Sequence, residues 1–153
     1  MVTIEVLHDR HNKDELIQLS QQFFAEYQSH HPSFFDIDEL HAQDIIRYFE
    51  AFMNAPQKRG FVALHDGAII AYLTAYIKEQ PAFYAIKKVG DISGLMVEPS
   101  FRKHGVATRL LAAAKQFFNE HGVNLFLVFT SCQNRVALEY YRKNGMEDLY
   151  TTL

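Results

Sequence analysis

The first third of the chain changes from an alternating to a helical hydrophobic pattern. Residues 2–7 (VTIEVL) alternate apolar and polar side chains and are rich in β-branched residues, which predicts a strand. From about residue 12 to residue 29 the apolar positions recur every three or four residues, which predicts a helix. Pro32 disfavours helix at the residue before it, so a second helix is predicted from near Asp36 or Asp38 up to the segment NAPQKRG.

The middle third is predicted to form three strands. The segment FVALHDGAIIAYLTAYI contains Asp66-Gly67, a dipeptide typical of tight hairpin turns, between two β-rich runs. A third long strand is predicted to follow Pro81 and to cover roughly residues 83–97, with a break at Gly90 or Gly94. These strands favour an antiparallel arrangement because short turns join them.

The last third has the pattern of a strand–helix–strand crossover. A helix is predicted from about Gly105 to His121, with Gly122 at its C-terminal cap. The continuous apolar run VNLFLVF after it predicts a parallel strand that is buried on both faces. A final helix is predicted at about residues 134–144, and the short tail after Gly145 could add one more strand. Hairpins followed by a crossover imply a mixed sheet covered by helices.

Composition restricts the class of protein. The 153 residues are the size of one domain, predicted to span 1–153, and a net charge of −3 argues against a nucleic-acid partner bound through a broad basic surface. The N-terminus has no signal-peptide pattern and no apolar run is long enough to span a bilayer, so no membrane partner is expected. The lone Cys132 cannot form an internal disulfide. These features predict a cytoplasmic location.

The segment SFRKHGVATRLL places positive charge at the start of the crossover helix. The first N–H groups of a helix lack intrahelical partners, and the helix dipole adds positive potential there. Gly105 would let a phosphate approach the backbone, and Arg102 would add a forked cationic donor. The P-loop and dinucleotide-binding patterns are both absent. An ordinary solvated loop is the alternative interpretation.

Two motifs give this segment a family resemblance. VEPSFRKHGVA resembles the coenzyme A signature of the GNAT superfamily of N-acetyltransferases, a strand ending V-x-P followed by [RQ]-x-x-G-x-[GA]. Downstream, NRVALEYYRKNGM resembles the family pattern N-x-x-A-x-x-x-Y-x-x-x-G-[FY], except that Met146 replaces the aromatic residue. The matching residues are Val97, Pro99, Arg102, Gly105, Ala107, Asn134, Ala137, Tyr141 and Gly145. The predicted order of elements agrees with the family fold over nearly the whole chain.

The resemblance implies an α/β (α+β) fold whose mixed, mainly antiparallel sheet has splayed parallel central strands and helices on both faces. It also implies direct transfer of an acetyl group from acetyl-CoA to a primary amine in a ternary complex. Tyr141 would protonate the departing thiolate. The other residues implied to contact the cofactor are Met96, Val97, Arg102, Lys103, His104, Gly105, Val106, Ala107, Thr108 and Asn134.

The general base is predicted on the strand that ends at Val97. Asp91 lies six residues before Val97, where some family members place a catalytic Glu. Many members instead carry acidic residues at the positions of Ser93 and Gly94, so water or another carboxylate stays open as the base. No metal is predicted, because the histidines at 30, 31 and 41 have no completing ligand cluster.

Three alternatives to a small-molecule amine acetyltransferase stay open from the sequence. The acceptor could be a protein N-terminus or lysine, or the chain could be a catalytically silent acyl-CoA-binding module. The basic loop could also bind a different phosphate ligand, such as a nucleotide. The high aromatic content would permit a homodimer.

Overall fold

The computed structural model describes residues 1–153, which form a single five-stranded sheet. Its strands are β1 (Val2–Val6), β2 (Lys58–His65), β3 (Ala68–Glu79), β4 (Lys88–Val97) and β5 (Phe126–Val128). They lie side by side in chain order. The first four pair antiparallel and β4 pairs parallel with β5, because only that last connection contains a crossover helix.

Four helices cover the sheet. They are α1 (Lys13–His30), α2 (Ala42–Glu50), α3 (Val106–Glu120) and α4 (Arg135–Lys143), and a single 3₁₀ turn covers Pro99–Phe101. The start of α1 is fixed by Asn12, whose side-chain oxygen accepts hydrogen bonds from the backbone N–H groups of Asp14 and Glu15. No helix has the combination of length and apolar character needed to cross a membrane.

The sheet is buried on both faces, and each face has its own apolar cluster. On one face, α1 and α2 pack against the sheet around Leu16 and Phe49. On the other face, α3 and α4 pack against it around Leu110 and Tyr141. Successive residues of β4 alternate between the two clusters, with Met96 in the first and Val97 in the second. The predicted fold class, a mainly antiparallel mixed sheet with helices on both faces, is confirmed.

The β2–β3 hairpin is confirmed where Asp66-Gly67 predicts it. Both turn residues have positive φ, 50° at Asp66 and 79° at Gly67, as a tight hairpin turn requires. Farther along, the pairing of β3 with β4 shifts by one residue between Thr74 and Ala75. That β-bulge leaves Ser93 without a partner across the ladder, since Thr74 faces Gly94 and Ala75 faces Ile92.

Several predicted boundaries differ from the structure. Helix α2 begins at Ala42 rather than near residue 36 or 38, because Phe34 and Phe35 pack in a turn beside Tyr27. Strand β4 begins at Lys88, and residues 82–85 form an exposed turn and bend before it. Residues 144–153 contain no strand, so the additional strand considered for this C-terminal tail is absent.

The prediction that β5 is buried on both faces is wrong. The strand has three residues, all half-exposed, and the flanking Leu125 and Phe129 are exposed. The physical reason is its place in the sheet: no strand follows α4, so β5 is the outermost strand and has a neighbour on one side only.

Candidate active site

The parallel pair β4–β5 opens partway along its length. The two strands pair at Gly90–Phe126, Asp91–Leu127 and Ile92–Val128, and no pairing continues beyond those residues. Residues 93–97 of β4 therefore have an unpaired edge that faces the chain following β5. The bulge at Ser93 lies where the strands separate. This opening separates the end of β4 from the chain that follows β5.

The N-terminus of α3 borders this opening and has the properties of an anion site. Gly105 is the N-cap residue, with φ of +79° and no side-chain capping hydrogen bond, so the first-turn N–H groups remain available to a ligand. A Cβ atom at Gly105 would have no atom within 4 Å, which means that open space lies in front of the helix end. Lys103 also has positive φ, 65°. Together with Lys103 and His104, this end of α3 fits a pyrophosphate group.

Arg102 is placed differently from a simple phosphate ligand. Its Nε–H donates to the Val97 carbonyl oxygen at 2.9 Å, and an Nη2–H donates to Glu26 Oε1 at 2.6 Å. The guanidinium also lies 3.6 Å from the Met96 sulfur. Arg102 therefore ties the end of β4 to α1, and only its remaining N–H groups can contact a phosphate.

The first turn of α4 faces the same region. The Asn134 side-chain oxygen caps α4 by accepting from the Ala137 N–H at 3.3 Å, which leaves its NH₂ group for a ligand. The Thr108 hydroxyl is hydrogen-bonded to the Tyr140 hydroxyl at 2.8 Å, so α3 and α4 are joined beside the anion site. Thr130, just past β5, has a buried hydroxyl without a hydrogen-bond partner. A buried hydroxyl of this kind normally has a hydrogen-bond partner.

Tyr141 is buried, with 8% of its surface exposed, and its ring packs in the cluster that contains Ala137. Burial raises the pKa of its hydroxyl above the usual 10.0, with smaller contributions from the nearby Tyr27 and Tyr140 hydroxyls. Tyr27 belongs to α1 on the other face of the sheet. The Tyr141 hydroxyl therefore stays protonated at neutral pH, as a proton donor must.

Asp91 lies at the start of the opening, on the α1/α2 face. Its side chain is 16% exposed, and its carboxylate is 3.8 Å from the Lys78 ammonium. Burial raises the pKa of Asp91, while the Lys78 charge and a hydrogen bond from Tyr76 partly oppose that effect. A half-buried carboxylate with a raised pKa is a better proton acceptor than an exposed one.

Three hydroxyls that no sequence pattern predicts meet beside Asp91. Tyr48 from α2, Thr74 from β3 and Ser93 from β4 are within hydrogen-bond distance of one another. They are separated by 26 and 19 residues along the chain, so no local spacing could have grouped them. The sequence pointed to this cluster only indirectly: positions 93 and 94 lack the acidic residues that many family members carry there, and no other role was predicted for them.

A groove of about 500 Å³ lies elsewhere, beside the end of β1, and shares no residue with this site. Its basic side chains already have partners: Arg10 pairs with Glu5, Arg59 pairs with Glu120, and the Lys58 ammonium lies over the Phe52 ring. No group of three or more potential ligands could hold a metal ion.

The family of the chain follows from a comparison with known proteins. The sequence model of the Acetyltransferase (GNAT) family matches residues 17–146. Because this match covers most of the chain, the protein belongs to that family. The predicted activity class, an acetyl-CoA-dependent N-acetyltransferase, is confirmed by this family membership, and acetyl-CoA is its co-substrate.

Individual relatives agree with this assignment. The uncharacterized N-acetyltransferase YhfO of Bacillus subtilis is 30% identical over 105 residues, which cover 65% of this chain and 68% of YhfO. The aminoglycoside N(6')-acetyltransferase type 1 of Salmonella typhimurium is 28% identical over 112 residues, which cover 72% of this chain and 74% of that enzyme. The structure of AAC(6')-Iy with a CoA-containing bisubstrate analogue has a TM-score of 0.76 and 21% identity, covering 100% of this chain and 95% of AAC(6')-Iy. This last similarity shows the shared fold.

Proposed function

We propose that the protein transfers the acetyl group of acetyl-CoA directly to the primary amine of a small cationic molecule. The observation that carries this proposal is the arrangement along the opening between β4 and β5. The anion site at Gly105 lies beyond one end of residues 93–97, and Asp91 lies at the other end. A thioester held by its pyrophosphate at Gly105 would extend along β4 toward Asp91.

The two proposed catalytic groups have complementary roles. Asp91 accepts one proton from the ammonium, which frees the nitrogen lone pair that attacks the thioester carbon, and the nitrogen loses its second proton to solvent after the C–N bond has formed. Tyr141 donates its proton to the sulfur as the C–S bond breaks, so a neutral thiol leaves. Burial suits Asp91 to its role because it raises that carboxyl pKa, and it suits Tyr141 because it keeps the phenol protonated.

The proposed cofactor contacts come from three segments. Backbone groups of Met96 and Val97 would pair with the pantetheine arm, although Arg102 already engages the Val97 carbonyl oxygen. The free N–H groups of the first turn of α3 would hold the pyrophosphate, and the Asn134 amide would contact the ligand from α4. The turn residues that complete this set are Arg102, Lys103, His104, Gly105, Val106, Ala107 and Thr108.

The charge near the acceptor side supports a cationic acceptor. Residues 36–44, between α1 and α2 and into α2, contain four carboxylates, and Arg47 is the only Lys or Arg between residues 32 and 57. Tyr48, four residues after this acidic segment, contacts β4 directly through Ser93. The Salmonella relative is named for acetylation of aminoglycosides, which are small polycationic amines.

The test is thiol release from acetyl-CoA with a panel of amines. The panel contains an aminoglycoside, a linear polyamine, an amino acid and a short peptide with a free N-terminus. Cys132 is exposed and would react with a thiol reagent, so the assay uses Cys132→Ser as the parent enzyme. We expect acetylation of a small cationic amine at a higher kcat/KM than the peptide. Release with the peptide alone would favour a protein acceptor, and CoA binding without release for any amine would favour a silent binding module.

A further inference from the structure

The three hydroxyls of Tyr48, Thr74 and Ser93 form a closed triangle on the α1/α2 face of the sheet. The Tyr48 oxygen is 2.7 Å from Thr74 Oγ1 and 3.1 Å from Ser93 Oγ. The Thr74 and Ser93 oxygens are 2.9 Å apart, and Ser93 also donates to the Thr74 carbonyl oxygen at 3.3 Å. We call these three side chains the hydroxyl triangle.

The number of hydrogen-bond donors and acceptors in the hydroxyl triangle determines which ligand groups it can bind. Each hydroxyl supplies one O–H donor and two acceptor lone pairs. Four short contacts exist among the three hydroxyls and one carbonyl, so all three protons can be used inside the cluster. In that arrangement the surface that remains has lone pairs and no free donor. It therefore favours a ligand that brings only donors, and a primary ammonium brings three.

The position of the hydroxyl triangle agrees with that use. Thr74 is completely buried, whereas Tyr48 is 39% exposed and Ser93 is exposed, so only the latter two can meet a ligand. Ser93 lies at the bulge where β4 leaves β5, two residues after Asp91. The exposed oxygens are thus next to a carboxylate whose negative charge also attracts an ammonium group.

Gly94 is part of the same surface. A Cβ atom there would lie 3.0 Å from Thr74 Oγ1 and 3.3 Å from the Tyr48 hydroxyl, which is tighter than ordinary packing. A side chain at 94 would therefore displace the hydroxyl triangle. This chain has no acidic side chain at positions 93 and 94. Neutral hydroxyl oxygens that can accept hydrogen bonds lie there instead.

We propose that the hydroxyl triangle is the subsite for the acceptor amine, with Tyr48 and Ser93 accepting hydrogen bonds from its ammonium N–H groups beside Asp91. Thr74 is a positioning residue, because its hydroxyl holds the other two with their lone pairs outward and cannot itself reach the substrate. This inference rests on the proposed function and identifies the acceptor as a primary amine that arrives protonated.

The test separates amine binding from cofactor binding. In Thr74→Val the Tyr48 proton loses its nearest acceptor and turns to Ser93 Oγ, 3.1 Å away, which redirects the Tyr48 lone pairs that would accept from the ammonium. The KM for the amine should therefore rise about 10-fold, the lower end of the effect of losing one hydrogen bond to a charged group. The KM for acetyl-CoA should stay within about twofold, and Thr74→Ser should restore the parent value because it keeps the hydroxyl. Tyr48→Phe should give the same KM split without altering a buried position, and so covers the case in which Thr74→Val folds poorly.

Two controls distinguish recognition from a loss of packing. Ser20→Ala removes another buried hydroxyl from the same face of the sheet and should leave both KM values unchanged. Inhibition by the trimethylammonium analogue of the acceptor gives a second measurement, since that cation has no N–H donor. The parent should bind the primary ammonium more tightly than this analogue, and Tyr48→Phe should reduce the preference.

Equal amine KM values in the parent, Thr74→Val and Tyr48→Phe would overturn this inference and leave the acetyltransferase function standing. Equal increases in both KM values would also overturn it, since they would indicate a general distortion of the site. Absence of thiol release by the parent enzyme with every amine would instead overturn the proposed function, and the inference with it.

Discussion

Two glycines at opposite ends of α3 provide a matched test of the anion site. Gly105 precedes the helix with φ of +79°, and Gly122 follows it with φ of +70°. A Cβ atom at either position would meet nothing within 4 Å. Gly105→Ala and Gly122→Ala therefore introduce the same methyl group and the same left-handed strain, but only Gly105 lies where a phosphate is expected.

The expected loss of stability is similar for both variants. A non-glycine residue in the left-handed region costs roughly 1–2 kcal/mol. For a chain of about 150 residues, 1 kcal/mol corresponds to a shift of about 2–4 °C in Tm. Each variant should therefore melt about 2–8 °C below the parent enzyme. A steric clash adds nothing, since both positions face open space.

The loss of CoA affinity should differ between the two variants. A methyl group at Gly105 would stand between the pyrophosphate and the free N–H groups of the first turn of α3. Loss of one charge-assisted hydrogen bond costs about 1.5–3 kcal/mol, which corresponds to roughly 10- to 150-fold in Kd. Gly122→Ala removes no ligand contact, so its Kd should equal that of the parent.

Calorimetric titration with CoA measures Kd for the three proteins at a temperature well below every Tm. Thermal unfolding with and without CoA gives an independent measurement, because saturation at 100 times Kd stabilises the folded protein by about 2.7 kcal/mol. Equal CoA affinity in Gly105→Ala and Gly122→Ala would refute the placement of the pyrophosphate at the start of α3. A tight complex with ATP in place of CoA would identify a different phosphate ligand.

The remaining predictions concern the two proposed catalytic residues. Asp91→Asn should lower kcat most at low pH, where the amine arrives protonated, and rising pH should partly restore it; an unchanged pH–rate profile would exclude Asp91 as the base. Burial raises the Asp91 pKa above its usual 3.8, so ionisation of this carboxyl destabilises the folded parent enzyme. The parent should therefore lose stability as pH rises from below 3.8 through the raised pKa, whereas Asp91→Asn does not titrate. The Tm of Asp91→Asn minus that of the parent should increase over this pH range. Tyr141→Phe should lower kcat on the order of 10²-fold with little change in CoA affinity, and equal kcat values when chemistry limits the rate would leave Tyr141 with a packing role only.

Much of the fold follows from local patterns in the sequence. The Asp66-Gly67 turn, the capped start of α1 and the order of strands and helices all depend on neighbours within a few residues, so periodicity and turn residues suffice to predict them. The two family motifs also lie within short segments, and the resemblance correctly indicated the fold class and the activity class. Boundaries at residues 31–42 and 83–88 were less predictable, since aromatic packing against distant helices decides where those segments turn.

The tertiary structure alone decided which side chains meet at the site. Strand β5 lies at the sheet edge because no later strand pairs with it. The apolar sequence of β5 could not indicate this position. Arg102 has the residue type expected for a phosphate ligand, yet the position of Glu26 on α1 directs its guanidinium back onto β4. The hydroxyl triangle needs a β-bulge at Ser93 and the packing of α2 over the sheet. The hydrogen bonds of this cluster join residues that are separated by 26 and 45 positions in the sequence, so they depend on how the chain folds back on itself. A periodic pattern along the chain cannot predict them.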